Sequence, residues 1–271
     1  MERKYLDYVK EALTSCFERI SEMDEIMIRR IVSLNRFGDQ TFEVDRIAEN
    51  LIFDITRKYF EDATLISEES ETIELGMGGP PFIIVDPIDG SVNAARGYPC
   101  YSSSIAIAEG INLSNIVCAG VINLLDGSIY LAERSHGASL DGNKIRVSDV
   151  EKIEEALIAA DLNIRGRLPG YVNRISNIIE KAKHVRFLGT DALEICMVAS
   201  GAADAFIDLR GFLRSIDFAA ASLIVREAEG LVLNEKGEYL NVNLIPVSRS
   251  PIVAVASGKL AEEIFSNIKN S

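Results

Sequence analysis

Four apolar residues, Phe82-Ile83-Ile84-Val85, stop abruptly at Asp86-Pro87-Ile88-Asp89-Gly90-Ser91, and this junction limits what the rest of the chain can build. A short continuous run of branched apolar residues predicts a fully buried strand, so Asp86 leaves the core at a fixed point. Proline cannot donate to a strand ladder, so the backbone is predicted to turn at Pro87, bringing Asp89 beside Asp86 and turning the Ile88 carbonyl inward. Two close carboxylates repel unless a cation joins them. Oxygen-only donors favour a hard divalent ion, Mg²⁺ before zinc or copper. Gly90 permits close approach of a phosphate, and a helix starting at Ser91 would turn free amides toward it. An ordinary acidic turn capping a helix would also read Asp-Gly-Ser, so the junction needs support from elsewhere in the chain.

Some of that support is negative. The 41 acidic and 28 basic residues give a net charge of -13, which opposes nucleic-acid or anionic-membrane binding through a general basic surface. No apolar run reaches the ~18 residues of a membrane span, and Met1-Glu2-Arg3-Lys4-Tyr5 opens a charged amphipathic helix rather than a signal peptide, so a cytoplasmic protein is expected. Cys16, Cys100, Cys118 and Cys196 are scattered without a Cys-x-x-Cys pair, as reduced core thiols would be. His136 and His184 are the two histidines, too few for a multi-histidine metal site.

Periodicity predicts a long helix over 3–34, a break at 35–40, and a second helix over 44–59. A short strand over 63–67 ends at Glu68-Glu69; paired beside 82–85, it would put Glu68 next to Asp86. Residues 70–80 read as an exposed hairpin or connection. Three strands follow over 101–108, 115–123 and 128–132, with Asp126-Gly127 as a hairpin turn. From Ser135 the pattern changes to strands over 156–160, 185–188, 205–207, 231–233 and 252–256. Helices over 171–181, 191–199, 215–229 and 260–268 alternate with them. The organisation expected is an α+β subdomain, 1–134, and an α/β subdomain, 135–271. Asp217 falls in the first turn of the helix starting at Ser215, where the dipole favours an acid.

Glu68-Glu69, Asp86-Pro87-Ile88-Asp89-Gly90-Ser91 and Asp217-Phe218-Ala219-Ala220-Ala221, in this order, resemble the inositol monophosphatase family. Leu188-Gly189-Thr190-Asp191-Ala192-Leu193-Glu194, Ala199-Ser200-Gly201-Ala202-Ala203-Asp204-Ala205 and Glu227-Ala228-Glu229-Gly230 follow the same pattern. The short chain and the Arg-Gly segment before Asp217 look most like the archaeal dual-activity type. There are departures: Ile216-Asp217 stands where many members have Trp-Asp, and Glu229 where many have glycine. The resemblance implies a layered α/β/α/β/α fold, a homodimer, and a phosphomonoesterase that hydrolyses fructose 1,6-bisphosphate and inositol 1-phosphate. Glu68, Asp86, the Ile88 carbonyl, Asp89 and Asp217 would hold two or three Mg²⁺ ions, with Mn²⁺ as a substitute, and activate a water for in-line attack.

Ser91 with Glu68 would orient that water, and the Gly90 and Ser91 amides would stabilise phosphoryl charge. Gly38, Asp39 and Thr41 resemble the family's mobile catalytic loop, and Asp191 takes a place bordering substrate. A second phosphate needs guanidinium groups, and among Arg165, Arg167, Arg186, Arg210 and Arg214 the expectation falls on Arg186 and Arg210. Two other readings stand beside this one: an adenosine 3′,5′-bisphosphate phosphatase, and a non-catalytic sugar-phosphate sensor of the same fold.

Overall fold

The computed structural model describes residues 2–164 and 166–268; Arg165, one of the arginines considered above, lies outside the described residues. The chain opens with α1 (Glu2–Ser21) and the short α2 (Glu25–Ile28), then the hairpin β1 (Ile31–Leu34) and β2 (Gln40–Phe42), and α3 (Glu43–Tyr59). The single helix expected over 3–34 is therefore broken. Asp24 accepts from the Ile26 amide at 2.7 Å and caps a new helix, and the apolar period beyond it continues into a strand.

The first large sheet collects β3 (Ala63–Ser67), β4 (Ile73–Leu75), β5 (Phe82–Asp89), then, after α4 (Ser91–Arg96), β6 (Ser102–Ala108), β7 (Ile116–Asn123), β8 (Ile129–Glu133), β9 (Gly137–Leu140) and β10 (Asn143–Ile145). Its order is β10-β9-β8-β7-β6-β5-β3-β4, antiparallel except where β3 runs parallel to β5. Alternation of strand and helix does not begin at Ser135 as expected, because β9 and β10 first extend this sheet. A second sheet follows from β11 (Leu157–Ala160), α5 (Tyr171–Lys181), β12 (His184–Arg186), α6 (Asp191–Ala199), β13 (Ala205–Asp208), α7 (Ser215–Glu227), β14 (Leu231–Leu233), β15 (Ile252–Val255) and α8 (Gly258–Ser266). Its order is β12-β11-β13-β15-β14.

The period of two along each strand sorts side chains into separate cores. Ile83, Val85, Ile105 and Ile107 pack with Tyr8, Leu13 and Ile52 under α1 and α3. Ile84, Ala106 and Ala119 face the opposite way, against Ile195, Phe218 and Ala220 of α6 and α7, which in turn meet Phe206 and Ala254 of the second sheet. Ile207 and Val253 turn away to Ile175 and Ile264 of α5 and α8. These contacts stack five layers, α/β/α/β/α. α6 and α7 lie at the centre, with their N-termini available to groups at the ends of strands in both sheets. No helix among the described residues is long and apolar enough to cross a membrane.

Candidate metal centre

In the parallel pairing of β3 with β5, Ser67 stands opposite Val85, so Glu68, just past the end of β3, and Asp86, the next residue of β5, come side by side where the pairing ends. Asp217 reaches the same point from the first turn of α7. One oxygen from each of these three carboxylates lies within 4.8 Å of the others. Burial pushes the Glu68 carboxyl up to about 8, with Arg214 pulling the other way, and holds Asp86 well above the usual carboxylate range, helped by Glu68, Asp89 and Asp217. Asp86 Oδ1 is buried without a hydrogen-bond partner. An unpaired oxygen in a converging set of carboxylates suits a hard divalent cation, whose charge would offset the burial and the repulsion.

The strand does not turn at Pro87 as expected. β5 runs to Asp89 through a register irregularity, with Asp86 opposite Ser104 and Asp89 opposite Ser102. Asp89 consequently points to the N-terminus of α6. Its Oδ1 accepts from the Asp191 amide at 3.1 Å, and its Oδ2 from the Ala192 amide at 2.9 Å, Ser102 Oγ at 3.1 Å and the Thr190 hydroxyl. Gly90 then adopts φ +87°, where a Cβ would lie 3.3 Å from the Cys100 and Gly189 carbonyls, and α4 starts at Ser91. Asn93 of α4 donates to the Leu188 and Gly189 carbonyls at 2.8 and 3.3 Å, and Glu194 accepts from the Leu188 and Gly189 amides at 3.2 and 3.0 Å. The 188–190 turn is thus gripped from both sides.

Ser91 links α3 to the end of β5. Its hydroxyl lies 2.7 Å from Asp45 Oδ1 and 2.8 Å from the Ile88 carbonyl. Asp45, in the first turn of α3, also accepts from the Phe42 amide at 2.6 Å; burial pushes it up to about 7. Thr41 donates to Glu69, and Asn35 holds the β1–β2 loop by accepting from the Phe37 and Asp39 amides, each at 3.0 Å, while donating to Glu68 at 3.2 Å. Asp39 lies 3.8 Å from Arg214 Nη1.

Of the two arginines expected to grip a second phosphate, Arg210 is otherwise engaged. Its Nε and Nη2 fork onto Asp208 at 3.0 and 2.6 Å, Nη2 also pairs with Asp161, and Nη1 donates to the Asn163 carbonyl at 3.1 Å. All three nitrogens have acceptors in a buried setting, and the guanidinium ties Asp161 to Asp208. Arg186 is exposed on β12 and donates to the Val185 carbonyl at 2.9 Å. Sequence reasoning missed Asp45, Asn35 and Arg214 as members of the site. Asp45 alone carried a signal, an acid next to apolar Val44 at a helix start.

Strand ends and a helix N-terminus here bring acids together beside a glycine turn, a carboxylate cluster that could hold a metal ion. Residues 9–271 match the Inositol monophosphatase family. A fructose-1,6-bisphosphatase/inositol-1-monophosphatase of Thermococcus kodakarensis is 35% identical over 239 residues, covering 88% of this chain and 87% of that protein. A bifunctional NADP phosphatase/NAD kinase of Methanocaldococcus jannaschii is 32% identical over 254 residues, 82% of this chain and 43% of that protein. The solved extragenic suppressor protein suhB of Bartonella henselae superimposes with a TM-score of 0.83 at 28% identity, covering 98% of this chain and 99% of that one. The chain belongs to the inositol monophosphatase family, whose members are metal-dependent, and it is a phosphatase.

Proposed function

We propose that the protein is a Mg²⁺-dependent phosphomonoesterase of small phosphorylated sugars and cyclitols, with fructose 1,6-bisphosphate and inositol 1-phosphate as substrates. The convergence of Glu68, Asp86 and Asp217, with Asp86 Oδ1 unpartnered, carries this reading, and the dual name of the Thermococcus relative supports the substrate pair. Those three carboxylates, with Asp89 and the Ile88 carbonyl, would hold two or three divalent ions, Mg²⁺ or Mn²⁺. Bound there, the ions would neutralise phosphoryl charge and acidify a water. Asp45 orients the Ser91 hydroxyl, which positions the attacking water. The Gly90 and Ser91 amides face the phosphoryl oxygens. Thr41, fixed on Glu69, and Asp39 carry the β1–β2 loop over the bound substrate. Asp191, at the start of α6, borders the substrate, and exposed Arg186 is the cation left to meet a second phosphate.

A second reading is favoured by the Methanocaldococcus relative's name: removal of a phosphate from a nucleotide such as adenosine 3′,5′-bisphosphate or NADP. Phosphate release by chelator-stripped protein, with and without added Mg²⁺, across these four substrates separates the two. Mg²⁺-dependent release from the sugar and cyclitol esters is expected; release from the nucleotides alone would replace the first reading with the second. The absence of any release would favour a sensor. We further propose a cytoplasmic homodimer. Four free, buried cysteines fit a reducing compartment, and exposed Ile26, Ile31 and Leu34 offer apolar surface to a second copy. Light scattering on the purified protein tests the dimer.

A further inference from the structure

Arg214 immediately precedes α7, and its side chain turns inward. Nη2 lies 2.6 Å from Glu68 and 2.9 Å from Asp217 Oδ1, Nε lies 3.0 and 3.2 Å from the two Asp217 oxygens, and the Arg214 amide donates to Asp217 Oδ2 at 2.7 Å. These are oxygens of two of the three carboxylates in the metal centre. A guanidinium and a divalent ion compete for the same lone pairs, and neither binds at full strength while the other is in place. The same guanidinium lies 4.8 Å from the centre of the Phe37 ring, and Arg36 lies at the same distance. Asn35, two residues earlier, is hydrogen-bonded to Glu68. The loop over residues 35–39 therefore rests on the cation and on one of the carboxylates.

We propose that Arg214 is a positioning residue that acts as the built-in counter-cation of this centre. It holds Glu68 and Asp217 in convergence, yields their oxygens when a divalent cation binds, and by that exchange loosens the loop that Phe37 stacks upon it. This rests on the metal-centre reading above. It explains how three largely buried carboxylates stay together before an ion arrives, since without a counter-charge they would repel. Arg214 Nη1 has no hydrogen-bond acceptor, so hydrogen bonds hold the guanidinium by its Nε and Nη2 alone.

The test uses chelator-stripped wild type, Arg214→Met, which keeps the apolar stem under Phe37, and Arg214→Lys, which keeps the charge without the fork. Titration calorimetry with Mg²⁺ should show Arg214→Met binding about tenfold tighter than wild type, the equivalent of removing one competing charge-assisted hydrogen bond. Arg214→Lys should fall between them. Stripped Arg214→Met should melt below stripped wild type, and the gap should close in saturating Mg²⁺. Hydrogen exchange at residues 35–39 should quicken on adding Mg²⁺ to wild type. Equal or weaker binding by Arg214→Met, a melting deficit unchanged by Mg²⁺, or unaltered exchange in wild type would reduce Arg214 to a structural cap and overturn the proposal. No binding heat in wild type would instead overturn the metal-centre reading, and the proposal with it.

Discussion

Glu68, Asp86 and Asp217 meet where the parallel pair β3 and β5 ends against the first turn of α7; Asp161, Asp191 and Asp208 meet where the parallel pair β11 and β13 ends against the first turn of α6. The two trios are built alike, and each has an arginine. Each arginine pairs with two of its three acids, and the difference lies in how completely the arginine itself is held. Arg210 has every nitrogen engaged and forks squarely onto Asp208, while Asp191 Oδ1 at the edge of this trio has no partner. Arg214 reaches Glu68 and Asp217 but leaves Asp86 Oδ1 without a partner and its own Nη1 without an acceptor. Acids gathered at strand ends do not by themselves make a metal site; what matters is whether the protein already neutralises them. Each trio keeps one unpartnered carboxylate oxygen, and the first, whose arginine is held less completely, is the one expected to take an external cation.

The largest expected effect comes from breaking the ion pairs of the second trio. Arg210→Ala leaves Asp161 and Asp208 buried without a counter-charge and should cost about 3 to 5 kcal/mol of stability in denaturant melts. A normal melt with a selectively raised KM for a bisphosphate would return Arg210 to substrate binding. Next comes Asp86→Asn, expected to lower turnover by about two to three orders of magnitude, the scale of a lost transition-state contact. Circular dichroism should show the fold kept, because the change relieves repulsion. Turnover near wild type would remove Asp86 from the centre.

A pH series sharpens the contrast further. Burial raises Glu68 and Glu194 to about 8 and Asp45 to about 7, so the folded chain keeps protons that the unfolded chain has already lost above the ordinary carboxylate range. Stability of chelator-treated protein should therefore fall as pH rises toward 8, by about 1.4 kcal/mol per pH unit for each whole proton of difference. Mg²⁺, which prefers the deprotonated acids, should flatten that slope. A slope identical with and without Mg²⁺ would mean that the first trio takes no ion. The smallest effect is expected at Asp39→Ala. Thermal stability should stay within the ~0.5 kcal/mol of a surface change while turnover drops, and unchanged turnover would make the β1–β2 loop a plain connector.

Much of this architecture was legible in the chain. The strand before Glu68, the helix at Tyr171 and the helix at Asp191 stand at their expected bounds, because apolar period and end signals agree there. The adjacency of Glu68 and Asp86 followed from one assumed pairing of strands. The short strands β9 and β10, three to four residues each, gave no comparable pattern, and the broken first helix kept its apolar period past the cap at Asp24. The contacts of Asp45 with Ser91 and of Arg214 with Glu68 join residues remote in sequence. Local spacing says nothing of them, so Arg214 looked like a surface residue and Arg210 like a free one until the layers were stacked.

Whether the Glu68, Asp86 and Asp217 trio is the one that takes an ion is decided by soaking crystals with Mn²⁺ and mapping its anomalous scattering. A peak is expected among Glu68, Asp86 and Asp217 and none among Asp161, Asp191 and Asp208. A peak at the second trio alone, or at neither, would contradict this expectation.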